Sequence, residues 1–265
     1  MSEQWRTFEN ECYLHLKNKY DKYAAFTAYG QSDSTTPDIL VTLSDNTNFY
    51  IETKSPNAQS GQFVLHANKN NQNFNYSTKN HTPFFPATKV IIDYMNNNFD
   101  TFVSAGTKGV HIDLNVDILY SWIKDYYSSK GVRYFITKGN EYIIFPIEHL
   151  NKYFDVSATY RIKKSGSSSP RKSNISEIQA ILQNNHISGT IVSLDKEVYL
   201  KTNYDIGGKK LSGTKYTYLF KEDINSNFSI RKLSNTKNVN VIFQIKLKKY
   251  DQDTVDLDDF LKSIA

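Results

Sequence analysis

The stretch from Thr36 to Ser55 constrains the fold most. Thr36-Pro37-Asp38-Ile39-Leu40-Val41-Thr42-Leu43 and Asn48-Phe49-Tyr50-Ile51-Glu52-Thr53-Lys54-Ser55 read as two short strands joined by the turn Ser44-Asp45-Asn46-Thr47. Residues two apart on a strand share a face, so Glu52 and Lys54 stand side by side. Asp38, at the head of the neighbouring strand, comes within reach of both. Two carboxylates and a lysine converging on one spot suit metal-assisted phosphodiester cleavage. Asp38 and Glu52 offer the hard oxygen donors that Mg²⁺ takes, with the Thr53 carbonyl as a further ligand. Lys54 supplies an ammonium that orients a water or holds a phosphate oxygen.

Around this hairpin, Trp5, Phe8, Cys12 and Leu16 recur at helical spacing and predict a helix over 4–23. A strand follows at 25–29. Helices are expected over 88–97 and 117–128, a hairpin over 132–145 and a short helix over 147–153. Helix, three strands, helix, strand, helix, strands describes a mixed sheet flanked by helices, an α/β (α+β) fold. The Ser-rich segment 164–172 reads as a flexible link. It divides the chain into a core over 1–166 and a strand-rich part over 167–265, which ends in an acidic tail and a short helix.

Composition removes other chemistries. A single cysteine, Cys12, excludes an intrachain disulfide framework and a Cys-rich zinc site, and its place in an apolar helical pattern makes it a core residue. The six histidines show no HExxH or paired spacing, and there is no GxGxxG, P-loop or GxSxG. The first residues lack the apolar run of a secretion signal, and no segment approaches the ~18 apolar residues of a membrane span, so a cytoplasmic protein is expected. The net charge of +5 permits a polyanionic partner without requiring one. Its distribution is more telling. Between Val156 and Ser176 lie Arg161, Lys163, Lys164, Arg171 and Lys172 with no acidic residue, interleaved with serines including Ser165. Basic side chains, hydroxyls and backbone amides form the usual phosphate-contacting set.

Glu52-Thr53-Lys54 is the chain's one acid-x-Lys at a strand end, and Pro37-Asp38 lies 14 residues before Glu52. Preceded by a helix carrying Phe8-Glu9, these residues resemble the PD-(D/E)xK nuclease superfamily, and most closely its type II restriction endonucleases. The resemblance runs from Met1 to about Asn140 and rests on a short motif. It implies a restriction-endonuclease-like core in which Asp38 and Glu52 hold one or two Mg²⁺ ions and Lys54 orients the attacking water. It further implies a supporting helix glutamate, Glu9 or alternatively Glu11. A polar residue after the lysine is also implied, for which Gln62 in Gln59-Ser60-Gly61-Gln62-Phe63 is the choice.

The expected activity is sequence-specific cleavage of double-stranded DNA to 5′-phosphate and 3′-hydroxyl ends. A homodimer would cut both strands of a palindromic site, and a cognate DNA methyltransferase encoded alongside would protect the DNA of the prokaryotic host. A repair or junction nuclease of the same superfamily, or a DNA-binding protein that has lost catalysis, is the alternative.

Overall fold

Cys12, Leu16 and Tyr20 are fully or almost fully buried, which sets the inward face of α1 (Ser2–Tyr20), whereas Trp5 is exposed. The apolar seam therefore starts at Phe8 rather than Trp5. The computed structural model describes residues 2–29, 36–164, 166–194, 197–222, 227–234 and 237–265, without the side chains of 2–4, 163–164 and 237–238. The expected polar turn over 31–36 lies almost wholly outside them.

The chain separates into two units, one of residues 1–161 with 239–265 and the other of residues 162–238. In the first, α1 is followed by β1 (Ala25–Ala28), β2 (Ile39–Thr42), β3 (Asn48–Thr53), β4 (Asn57–Asn68) and β5 (Asn73–Tyr76). Then come α2 (Pro86–Asn97), α3 (Phe99–Val103), β6 (Val110–His111), α4 (Val116–Ser128), β7 (Val132–Lys138), β8 (Tyr142–Pro146), α5 (Leu150–Tyr153) and β9 (Phe154–Lys164). The second unit carries β10 (Ser167–Ser168), α6 (Ile175–Asn184), β11 (Thr190–Leu194), β12 (Glu197–Lys201), β13 (Lys210–Ser212), β14 (Thr217–Glu222) and β15 (Asn227–Leu233). The chain closes with β16 (Lys237–Leu247) and α7 (Thr254–Ile264).

One sheet has the order β1-β2-β3-β7-β8, with β3 and β7 parallel and the other pairs antiparallel, the mixed sheet expected from the element order. A second sheet, β5-β4-β16-β9-β6, was not foreseen. Its β4 covers the 55–65 segment that reads as irregular, and the cause is Gly61. There φ is +104°, β4 slips register against β16, and a Cβ would lie 2.7 Å from the Trp122 ring. Trp122 itself stacks on Phe243 at 3.9 Å and donates to Thr88 at 3.0 Å, tying α4 to this sheet and to α2.

Because β16 pairs with β4, the segment 239–265 belongs with the first unit, whereas the sequence assigns 167–265 to one strand-rich part. The acidic tail is likewise a built element. Phe260 and Ile264 of α7 join Cys12, Leu16 and Tyr20 in one core. Asp253 caps α7 through the Val255 amide and receives Lys152 and Lys249 at 2.7 and 2.9 Å. The fully buried Asp256 carboxylate accepts from Lys152 at 3.0 Å and from the Tyr153 hydroxyl, with His149 Nδ1 at 2.7 Å. In the second unit, α6 buries Ile178, Ile181 and Leu182 against an antiparallel sheet of order β11-β12-β15-β14-β13, with β10 beside β15. No helix among the described residues is long and apolar enough to cross a membrane.

Asp256→Ala leaves the buried Tyr153 hydroxyl without its acceptor, removes one of the two carboxylates that Lys152 pairs with, and should cost about 2–4 kcal/mol in urea unfolding. Asp256→Asn should recover part of that loss.

Candidate active site

Register brings the chemistry together. Ile39 pairs with Ile51, so one step further along the hairpin Asp38 comes opposite Glu52. The buried Pro37 stiffens the entry to this strand. Asp38 Oδ2 accepts from both the amide of Thr53 at 2.8 Å and its hydroxyl at 2.6 Å, which fixes the carboxylate against β3. On the other side of β3, the Lys54 amide donates to Ile136 of β7 at 2.9 Å, continuing the parallel ladder. Glu52, Thr53 and Lys54 are all buried polar residues at the centre of the sheet.

Inside that setting, Lys54 Nζ lies 2.6 Å from Glu52 Oε1 and 5.1 Å from the centre of the Tyr127 ring. Tyr127 is buried, and its hydroxyl receives the Ser60 hydroxyl of β4 at 3.4 Å. Burial works against the Lys54 ammonium, but Glu52, Tyr127 and Asp38 outweigh it and hold Lys54 well above its ordinary range. Lys54 is therefore a fixed positive charge, suited to holding a water or an oxyanion and not to accepting a proton. Burial raises Glu52 above the usual carboxylate range, with Lys54 pulling the other way and Asp38 adding to the rise.

Glu9 completes the group. It is half-buried on α1, lining a cleft with Arg6, Asn10, Tyr13 and Asp38. Burial first, then the Asp38 and Glu52 carboxylates, push it up to about 8. Glu11 points elsewhere, its carboxylate 3.5 Å from Lys138 in an exposed pair. Of the two alternatives, Glu9 is the one that shares a cleft with Asp38. The site thus holds three carboxylates against one closely paired ammonium, an excess that favours bound protons or a cation. Its donors are all oxygens, matching a hard divalent ion. Among the described residues no three His, Cys, Asp or Glu side chains are gathered tightly enough to hold an ion by themselves. Asp38 is tied to Thr53, and Glu52 to Lys54.

The remaining expected residues are spread. Gln62 is half-buried on β4 and accepts from Gln59 at 3.2 Å, in a cleft with Lys130. Arg161 lies near the end of β9 in the first unit, with Nε buried and no hydrogen-bond partner among the described residues. Arg171 and Lys172 are exposed in the second unit, at the turn leading into α6. The side chains of Lys163 and Lys164, and Ser165 altogether, lie outside the described residues. Cys12 is buried core and His66 is exposed with Ser77 at 2.9 Å, so neither joins the site.

Sequence reasoning missed Tyr127, Lys130 and Arg6. Their nearness depends on the parallel β3–β7 pairing and on the packing of α1, which leave no local signal. The Tyr126-Tyr127 pair at the end of α4 was the one visible hint.

A comparison with solved structures aligns the chain with "HhaI endonuclease in Complex with DNA" at 40% sequence identity. The alignment covers 98% of this chain and 96% of that one, with a TM-score of 0.86. The chain belongs to the HhaI family of type II restriction endonucleases. No family model matches it, and no curated protein does. HhaI endonuclease shares the whole fold and not the part up to Asn140 alone, so both units have their counterpart there. The mixed α+β architecture and the assignment as a site-specific endonuclease follow from that membership. Membership in this family implies a divalent metal ion, and the oxygen-rich donor set fits one.

Glu9 gives a test independent of cleavage. Its pKa is about 8 in the folded protein against about 4.5 ordinarily, so the folded state binds the extra proton and loses stability as pH rises between those values. In EDTA, Glu9→Gln should melt at a higher temperature than the parent. The difference should widen from about pH 5 to about pH 8 and then level off. A pH-independent difference would place Glu9 outside the carboxylate cluster.

Proposed function

We propose that this endonuclease hydrolyses double-stranded DNA at a defined sequence with Mg²⁺ as its metal, leaving 5′-phosphate and 3′-hydroxyl ends. The observation that carries the reading is the joint placement of Asp38, Glu52 and Lys54, with the first held by Thr53 and the other two paired at 2.6 Å. HhaI endonuclease is seen in complex with DNA, and the same partner is assigned here.

In this mechanism Asp38 and Glu52 would hold one or two Mg²⁺ ions, with the Thr53 carbonyl as a further ligand. When bound, such an ion would supply charge neutralisation at the phosphate and activation of water at neutral pH. Lys54 keeps its proton and holds the attacking water in line, or steadies the charge growing on the phosphate. Glu9 would give up its proton when the ion is bound and would then support the water. Gln62 borders the passage of the scissile strand. Arg161, Arg171 and Lys172, with Lys163, Lys164 and Ser165 between them in sequence, would contact the DNA backbone.

Among the described residues there is one such centre. Two copies of the chain on a palindromic site would cut both strands in one encounter, the homodimer expected above, and a methyltransferase made by the same cell would protect that site. Nicked circular DNA accumulating before linear DNA would instead mean that the strands are cut in succession.

Incubating plasmid with the protein and Mg²⁺ should give discrete fragments, and EDTA should abolish them. Lys54→Ala and Glu52→Ala should each lower cleavage by at least about 10³-fold while leaving DNA binding largely intact. Cleavage that survives Glu52→Ala removes this assignment. Arg161→Ala should weaken binding and flatten its dependence on salt by about one phosphate contact.

A further inference from the structure

The cleft that Asp38 lines and a second cleft lined by Lys130 differ in charge. The one beside Asp38 contains Glu9. The other, about 410 Å³, is lined by Gln62, Lys79, Asn80, His81, Tyr126 and Lys130 among others, and among the described residues no carboxylate lines it. Lys130 connects this second cleft to the catalytic centre. It sits in the turn between α4 and β7, which Gly131 closes with φ +78°, and the Gly131 carbonyl accepts the Tyr50 amide of β3 at 3.0 Å. That bond ties the turn to the strand that carries Glu52.

The Lys130 ammonium donates to the Tyr126 hydroxyl at 2.8 Å and lies 4.3 Å from the Tyr126 ring centre and 5.9 Å from that of Tyr127. Lys54 lies 5.1 Å from the same Tyr127 ring. Two ammoniums therefore flank one buried aromatic ring, and the field of Lys130 reaches Glu52. A lysine just past a helix C-terminus also complements the helix dipole. Helix-end stabilisation does not account for a cleft with Lys79, His81 and Gln62 on its wall.

We propose that Lys130 is a phosphate-holding residue of the cleavage reaction. It would take the backbone phosphate next to the scissile one on the strand being cut, with Gln62 and Lys79 lining the same passage. The scissile phosphate would then lie at the border between the carboxylate cluster and a basic cleft. This deepens the reading of the site as a metal-dependent DNA endonuclease and rests on it.

The test uses a duplex that the parent protein is first shown to cut, with binding measured in Ca²⁺ across a salt series and cleavage measured in Mg²⁺. Lys130→Gln should fold as the parent does and show a binding slope, log K against log salt, shallower by about 0.9. It should cleave about 10–100-fold more slowly at moderate salt, the worth of one charged hydrogen bond. Lys130→Arg should restore most of both. An unchanged salt slope overturns the proposal, whatever happens to the rate. Equal loss of cleavage in the Gln and Arg variants overturns it too, because it means that Lys130 only packs the turn. If the parent protein cuts no duplex, the underlying reading fails, and that outcome is distinct from either.

Discussion

The two hydrogen bonds from Thr53 to the Asp38 carboxylate are what the site depends on. They lock the register of β2 on β3, and in a strand a slip of one residue sends every side chain to the opposite face. Glu52 and Lys54 would then leave the Tyr127 side of the sheet together. The parallel ladder to β7 holds β3 from its other edge, so the motif occupies a central strand with no freedom to slide. The 2.6 Å pairing of Lys54 with Glu52 follows from that confinement, because two groups on one face of a buried strand have few other partners.

Charge balance explains why such a centre is stable enough to exist and reactive enough to matter. Burying Glu52 and Lys54 is costly, and direct pairing offsets much of that cost. Asp38 and Glu9 add negative charge that Lys54 cannot fully answer. The result is a centre that holds on to protons, with Glu9 at about 8, and that gains from a divalent cation. Lys54 is held charged by the same carboxylates, which suits it to the positioning and stabilising part proposed for it. The basic cleft beyond Tyr127 completes this polarity, with cation-seeking oxygens on one side and phosphate-seeking nitrogens on the other.

Much of this was legible before the structure. The strand pair 36–55, the hairpin over 132–145 and the helix at 117–128 all carry strong local periodicity, and the element order implies the mixed sheet. The nearness of Asp38, Glu52 and Lys54 was legible because strand geometry alone brings them together. Three things were not legible, each because long-range pairing decides it. Nothing local in the acidic tail marks Asp256 as buried, which it is because Lys152, Tyr153 and His149 surround it. Strand β16 lies beside β4, which comes far earlier in the chain, so the segment 239–265 rejoins the first unit. The choice between Glu9 and Glu11 required the rotation of α1, which turns Glu11 toward Lys138 and Glu9 toward Asp38.

The central claim is that Asp38 and Glu52 share a divalent cation at the head of this hairpin. Anomalous scattering from Mn²⁺ in crystals of the protein bound to a duplex it cuts addresses that claim directly. The account predicts a peak ligated by both carboxylates and by the Thr53 carbonyl. A fully occupied ion elsewhere in the chain, with Asp38 and Glu52 both remote from it, would contradict the account.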